Sequence, residues 1–237
     1  MSSGRSPHTH SPTGQVSADP PAWTSPVAWC TLVLVAVFGI GLDLWSKDWA
    51  FENVAERPVV LDRGEILADS DWRPPPHEGI EVLPFGLLDF DLVMNHGAVF
   101  GIGQDQRTIF IVFTITAVTL ALVIFAVGTR ARSHALHVGI ALILAGGIGN
   151  LYDRILFGAV RDFLHMLPRW DLPFSMNWPN GSTGVFPWVF NVADMLLLLG
   201  MAIIVFMTGT RKDPAQSDDS ISQKNDRVLD SKNELGG

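Results

Sequence analysis

Residues 108–128 read TIFIVFTITAVTLALVIFAVG, with no charged residue anywhere in the run. A helix rises about 1.5 Å per residue, so a stretch of this length spans the roughly 30 Å hydrocarbon core of a bilayer. No soluble domain needs such a run, so lipid is the expected solvent. Three further apolar runs lie on either side of it. Residues 27–45 carry one acid, Asp43. Residues 187–208 carry Asn191 and Asp194 near their start. Residues 135–152 are the weakest candidate, because the run is short and glycine-rich and ends around Asn150. The predicted fold class is an all-α membrane protein of four transmembrane helices with a small extracytoplasmic cap.

The first run is not a cleaved signal peptide. A hydrophilic segment precedes it, Asp43, Trp45 and Lys47 close it, and no small-x-small site follows. Residues 1–25, rich in Ser, Pro, Gly and His, are predicted to be a disordered tail. So is the charged segment 211–237. The membrane domain is therefore residues 26–210. His8 and His10 have no companion ligands, so no metal site is expected there. Cys30, the only cysteine, excludes an internal disulfide and is expected to be an inert buried thiol.

With four spans, the loops 48–107 and 153–186 share one side and both termini share the other. Residues 82–85 and 87–93 suggest short strands after the prolines Pro74, Pro75 and Pro76. Pro168, Pro173, Pro179 and the pair Asn180-Gly181 mark turns in the second loop. Net charge is −8, and residues 48–85 hold nine acids against three bases. No basic patch with interleaved aromatics occurs, which excludes nucleic acid as a partner. Lys and Arg are spread too evenly for the positive-inside rule to orient the chain.

The polar residues of the spans converge. Chain direction reverses at each span, so Asp43 and Lys47 (end of the first), Asn150, Asp153 and Arg154 (end of the third) and Asn191 and Asp194 (start of the fourth) reach one membrane face. The loops holding Asn95 and Asp162 emerge there too. Asp43 and Lys47 are i,i+4 and can pair. Ionisable groups at such positions are costly and mark function. Two carboxylates sharing a site repel, so one holds a proton near neutral pH. The ionised member can then activate water while the other polarises a carbonyl. Asp194 opens the last helix, where the dipole favours negative charge. Asp162, flanked by apolar residues, is its best partner among several acids. Asp43 and Asp153 have bases nearby in sequence and read as structural pairs, and Asp171 as a solvated acid.

Four blocks of sequence carry a family resemblance. They are Asp43-Leu44-Trp45-Ser46-Lys47; Asn95-His96-Gly97-Ala98-Val99-Phe100-Gly101; Gly149-Asn150-Leu151-Tyr152-Asp153-Arg154, continuing through Gly158 to Asp162-Phe163; and Phe190-Asn191-Val192-Ala193-Asp194. In this order, relative to four spans, they resemble the bacterial lipoprotein signal peptidases (signal peptidase II), which are aspartyl membrane proteases. The resemblance covers about residues 26–210. It implies that Asp162 and Asp194 form a catalytic dyad that cuts on the amino side of a diacylglyceryl-modified cysteine in a prolipoprotein, with no cofactor or metal. It further implies that Asn95, Gly97, Asn150, Arg154 and Asn191 line the site, that Asp43 and Lys47 support it, and that the cap contains strands. The implied location is the bacterial inner membrane, with the active site extracytoplasmic, both termini cytoplasmic, lipid around the helices and the chain a monomer. Two features depart from the pattern. Residues 48–85 and 169–185 are longer than usual, and Arg161, expected to face water, replaces an uncharged residue. The rival readings are a small proton-linked transporter and a non-catalytic membrane assembly protein.

Overall fold

The computed structural model describes residues 19–69, 72–97, 107–179 and 181–209. Four helices are long and apolar enough to cross a membrane: α1 (Pro26–Asn53), α3 (Arg107–Val123, extended by a π turn to Gly128), α4 (His134–Phe157) and α5 (Val192–Gly209). A short helix, α2 (Arg63–Ala68), and four strands, β1 (Ile80–Leu83), β2 (Leu88–Asn95), β3 (Val160–Met166) and β4 (Val189–Phe190), build the cap. The strands form one antiparallel sheet in the order β1-β2-β3-β4.

Helix α4 is the hub and packs against α1, α3 and α5. Of its apolar stretch, 61% is buried inside the protein, against 22%, 6% and 11% for α1, α3 and α5. Its glycines permit this. A Cβ on Gly146 would strike the carbonyl oxygen of Ala193 and approach Leu197 Cγ to 2.7 Å, and one on Gly149 would strike the Asp43 carboxylate. Small residues let membrane helices approach closely, where hydropathy supplies no attraction between them.

Helix α1 is 28 residues long, about 42 Å at the usual rise. It is capped by Ser25, whose side chain accepts from the Ala28 N–H, with Pro26 at the first position. Its length exceeds the hydrocarbon core. The last turns therefore project and form the floor of the cap, where Ala50, Phe51 and Val54 join Ile66, Leu92, Met94, Phe163 and Leu164 in one apolar cluster.

Three expectations need correcting. Residues 19–25, expected to belong to a disordered tail, are ordered. Ala22–Thr24 forms a 3-10 turn, the Ala22 N–H donates to Thr129 O at 3.0 Å, and Asp19 Oδ2 accepts from the Arg132 N–H at 3.1 Å. The remaining tail residues 1–18 and 210–237, with His8 and His10, lie outside the described residues, as does Asn180. Cys30 is exposed on the outer surface of α1, not buried. The third span does not end at 152, since α4 continues to Phe157 and β3 follows at once.

Candidate active site

The last turn of α4 ends at Gly158, whose φ of 77° is left-handed and whose N–H donates to Arg154 O at 3.1 Å. Glycine adopts this conformation without steric cost. The chain turns back into β3, an inner strand, and places Asp162 opposite Val93 on β2. Asp162 is therefore held by a sheet register, buried to 1% exposure.

Asp194 is held by a helix start. Asn191 is the residue before α5, and its Oδ1 accepts from the Asp194 N–H at 3.1 Å. The Asp194 Oδ2 in return accepts from the Asn191 N–H at 3.1 Å. This is a reciprocal capping box, formed here by Asn and Asp three residues apart. Asp43 Oδ1 accepts from the next free donor, the Ala193 N–H, at 2.8 Å.

Two asparagines join the acids. Asn191 Nδ2 donates to Asp162 Oδ1 at 2.6 Å and to Asn150 Oδ1 at 3.1 Å. Asn150 Nδ2 donates to Asp194 Oδ1 at 2.8 Å. Asn95 Nδ2 donates to Asp162 Oδ2 at 2.9 Å, and its Oδ1 accepts from the Gly97 N–H at 2.9 Å, across a left-handed Gly97. Each carboxylate oxygen thus faces an amide donor. Burial pushes the Asp162 carboxyl up to about 7, the negative charge of Asp194 adds to the rise, and the Asn95 and Asn191 amides oppose it.

Behind the acids lies a second, fully buried layer. Lys47 Nζ sits 2.8 Å from Asp43 Oδ2, 3.3 Å from Asp153 Oδ2 and 3.1 Å from Asn150 Oδ1. Asp153 accepts from the Arg161 backbone N–H at 3.0 Å, beside Asp162. Lys47 therefore lies between two acids, one holding the backbone of the α5 start and the other that of the β3 start. The i,i+4 pairing of Asp43 and Lys47 agrees with the spacing argument. Asp153 is also a structural pair, but its bases are Lys47 and Arg161, not the adjacent Arg154, which points to another face of α4. Arg154 instead lies over the Phe110 ring, 5.2 Å from its centre, with Nη1 3.5 Å from Asn150 O.

Arg161 does not face water. It is 3% exposed, donates through Nε and Nη2 to Asp153 at 3.1 and 2.9 Å, and pairs with Asp48. Sequence reasoning missed this contact and the role of Asp48. The available signal was a charged residue inside an apolar strand, which burial permits only with partners. Asp171 is likewise not merely solvated, since its Oδ1 accepts from Thr183 Oγ1 at 2.8 Å. Among the described residues, no group of His, Cys, Asp and Glu is arranged to hold a metal ion.

A cleft of about 480 Å³ opens onto Asp162 and Asn95. A water and an extended peptide can therefore reach one acid of the pair from the cap side. Two carboxyl groups, one of them held up to about 7 by burial, in a water-accessible site with fixed amide donors can carry out general acid–base hydrolysis.

Comparisons with known proteins identify the family. The sequence profile of the family described as Signal peptidase (SPase) II matches residues 35–209. The lipoprotein signal peptidase of Oleidesulfovibrio alaskensis is 35% identical over 170 residues, which cover 70% of this chain and 86% of that protein. That of an Anaeromyxobacter species is 31% identical over 196 residues, covering 78% and 87%. A bacterial membrane enzyme solved at 2.3 Å by the in meso method superposes with a TM-score of 0.52 at 25% identity, over 77% of this chain and 93% of that one.

Proposed function

The chain belongs to the signal peptidase II family, and from that premise we propose that it removes signal peptides from diacylglyceryl-modified prolipoproteins with Asp162 and Asp194 as the catalytic dyad. The carrying observation is the linkage of these two acids through Asn191 and Asn150, with Asp162 pushed up to about 7. The pair shares one proton, and the two ionisations belong to the pair. In the reactive form Asp162 carries that proton and Asp194 is ionised. Asp194 accepts a proton from water as that water attacks the carbonyl on the amino side of the lipidated cysteine. Asp162 donates its hydrogen bond to the developing oxyanion. Collapse of the tetrahedral species breaks the C–N bond, and a carboxyl proton passes to the leaving amine. Asn95, Gly97, Asn150, Arg154 and Asn191 line the site, Asn150 and Asn191 by holding the two acids, while Asp43 and Lys47 keep the two dyad segments in place.

In this reading the protein sits in the bacterial inner membrane with the cap and dyad outside and both termini in the cytoplasm. It acts as a monomer, with lipid around the bundle. The transporter reading lacks support from the site, because the acids gather at one end of the bundle beside a cap cleft. An assembly role would leave the shared proton without a purpose.

The test is cleavage of a lipidated precursor by purified Asp162→Asn and Asp194→Asn, each shown to fold like wild type. Loss of roughly three orders of magnitude or more in kcat is expected from either change, as for groups acting as a unit. Near-wild-type turnover by either folded variant would sink the assignment.

A further inference from the structure

The described residues that line the cleft above Asp162 all lie outside the four membrane-spanning helices. Its walls come from residues 72–77, the β2 segment 92–96, Asp162 itself and residues 187–189. The lining includes the run Pro74, Pro75 and Pro76, close in sequence to Trp72, and also Trp188. Prolines fix φ and lack an N–H, so this wall is stiff and does not compete for backbone hydrogen bonds.

The His77 side chain bonds the wall to the sheet, and Trp72 packs against the apolar cluster of the cap. His77 Nδ1 lies 2.9 Å from Pro75 O, within its own strap. Its Nε2 lies 2.8 Å from the Leu92 N–H and 3.1 Å from Asp91 Oδ1, both on β2. A neutral ring with the proton on Nδ1 donates to Pro75 and accepts from Leu92. A protonated ring donates to Pro75 and to Asp91. In both states the imidazole ties the strap to β2, three residues before Asn95, which itself holds Asp162. The His77 side chain is only 7% exposed.

We propose that the strap Trp72–His77, clamped by His77, is a specificity-determining wall that receives the first residues of the mature lipoprotein, those that follow the lipidated cysteine. This rests on the peptidase reading above. In that reading the signal helix and the cysteine's acyl chains lie in the bilayer. Only the chain continuing past the cysteine leaves the membrane, and a cleft whose described lining comes from the cap and that opens onto Asp162 suits that part. Two tryptophans and three prolines suit an extended segment of several residues rather than a helix. His77 is a positioning residue in this scheme, since it acts on substrate through the strap.

The experiment compares two synthetic diacylglyceryl lipopeptides, cleaved by the full-length protein in lipid vesicles. One ends in an amide directly after the modified cysteine, and the other continues for four mature residues. His77→Ala is expected to lower kcat/KM on the longer substrate about tenfold, chiefly through KM, with a loss shrinking to within about twofold on the shorter one. His77→Gln, which restores an acceptor for Leu92 N–H, is expected to recover most of that loss. Trp72→Phe, which trims the wall, keeps an aromatic ring against the cap core and leaves the clamp intact, should reproduce the direction of the substrate-length dependence even if His77→Ala folds poorly. Equal losses on both substrates, or no loss on either, would overturn the proposal. Failure of wild type to cut either lipopeptide would instead overturn the peptidase reading, and the wall with it.

Discussion

Helices α3 and α4 lie side by side and obey opposite rules. Helix α3 has the highest mean hydropathy of the four spans, 2.8, and is the least buried, at 6%. Helix α4 has the lowest, 1.6, and is the most buried, at 61%. In a soluble protein this order would be inverted. In a bilayer, apolar side chains are what the lipid-facing surface requires, and the protein-facing surface requires small ones and partnered polar groups. The helix easiest to recognise thus contributes least to the site. The one hardest to recognise supplies Asn150, Asp153 and Arg154 and leads into the strand that carries Asp162.

This contrast can be broken most directly at Gly146. Gly146→Val places its Cβ against the Ala193 carbonyl and Leu197, at the start of the helix that carries Asp194. Overpacking against backbone cannot relax easily, so a loss of roughly 3 kcal/mol or more is expected. Thermal unfolding in detergent would read it. A variant with wild-type Tm would show that the α4–α5 approach is looser than its glycines indicate.

A smaller effect sharpens the contrast through pH. Asp162 ionises at about 7 in the fold, above the ordinary aspartate value of 3.8. Between those values the native protein binds more protons than the unfolded chain. The stability this provides is complete below about pH 4 and is lost as pH rises through about 7. Asp162→Asn removes the titration. Its Tm should therefore gain on that of wild type between pH 4 and pH 8. A constant difference over that range would contradict the burial of an ionisable Asp162.

The smallest effects belong to α3. Val112 and Phe113 are 57% and 70% exposed on its outer surface. Exchanging either for Leu keeps an apolar face toward lipid and should change stability by no more than about 0.5 kcal/mol. A Tm drop as large as that of Gly146→Val would show that this surface meets a protein partner.

Much of the site was legible in order and spacing. Asp43 and Lys47 announce their pairing by four residues, because helix geometry turns spacing into direction. The reversal of direction at each span placed three polar groups on one face without any coordinates. Asp162 was only the best of several partners until the register of β3 against β2 set it opposite Val93, beneath Asn95. The strand itself was missed, since Val160–Met166 carries Arg161 and His165 within its apolar residues and so reads as loop. Arg161 was taken as solvent-facing for the same reason. Its partners Asp153 and Asp48 lie 8 and 113 residues away in the chain, distances that no local pattern encodes.

The amino-acid sequence alone therefore determined the solvent, the number of spans and the face at which charge gathers, because length and hydropathy act one segment at a time. Tertiary structure decided which charge meets which: Lys47 between Asp43 and Asp153, Arg161 turned inward, and His77 across to Leu92. Those pairings depend on the close approach of separate elements, and in a dry interior each buried charge must find its partner through the fold.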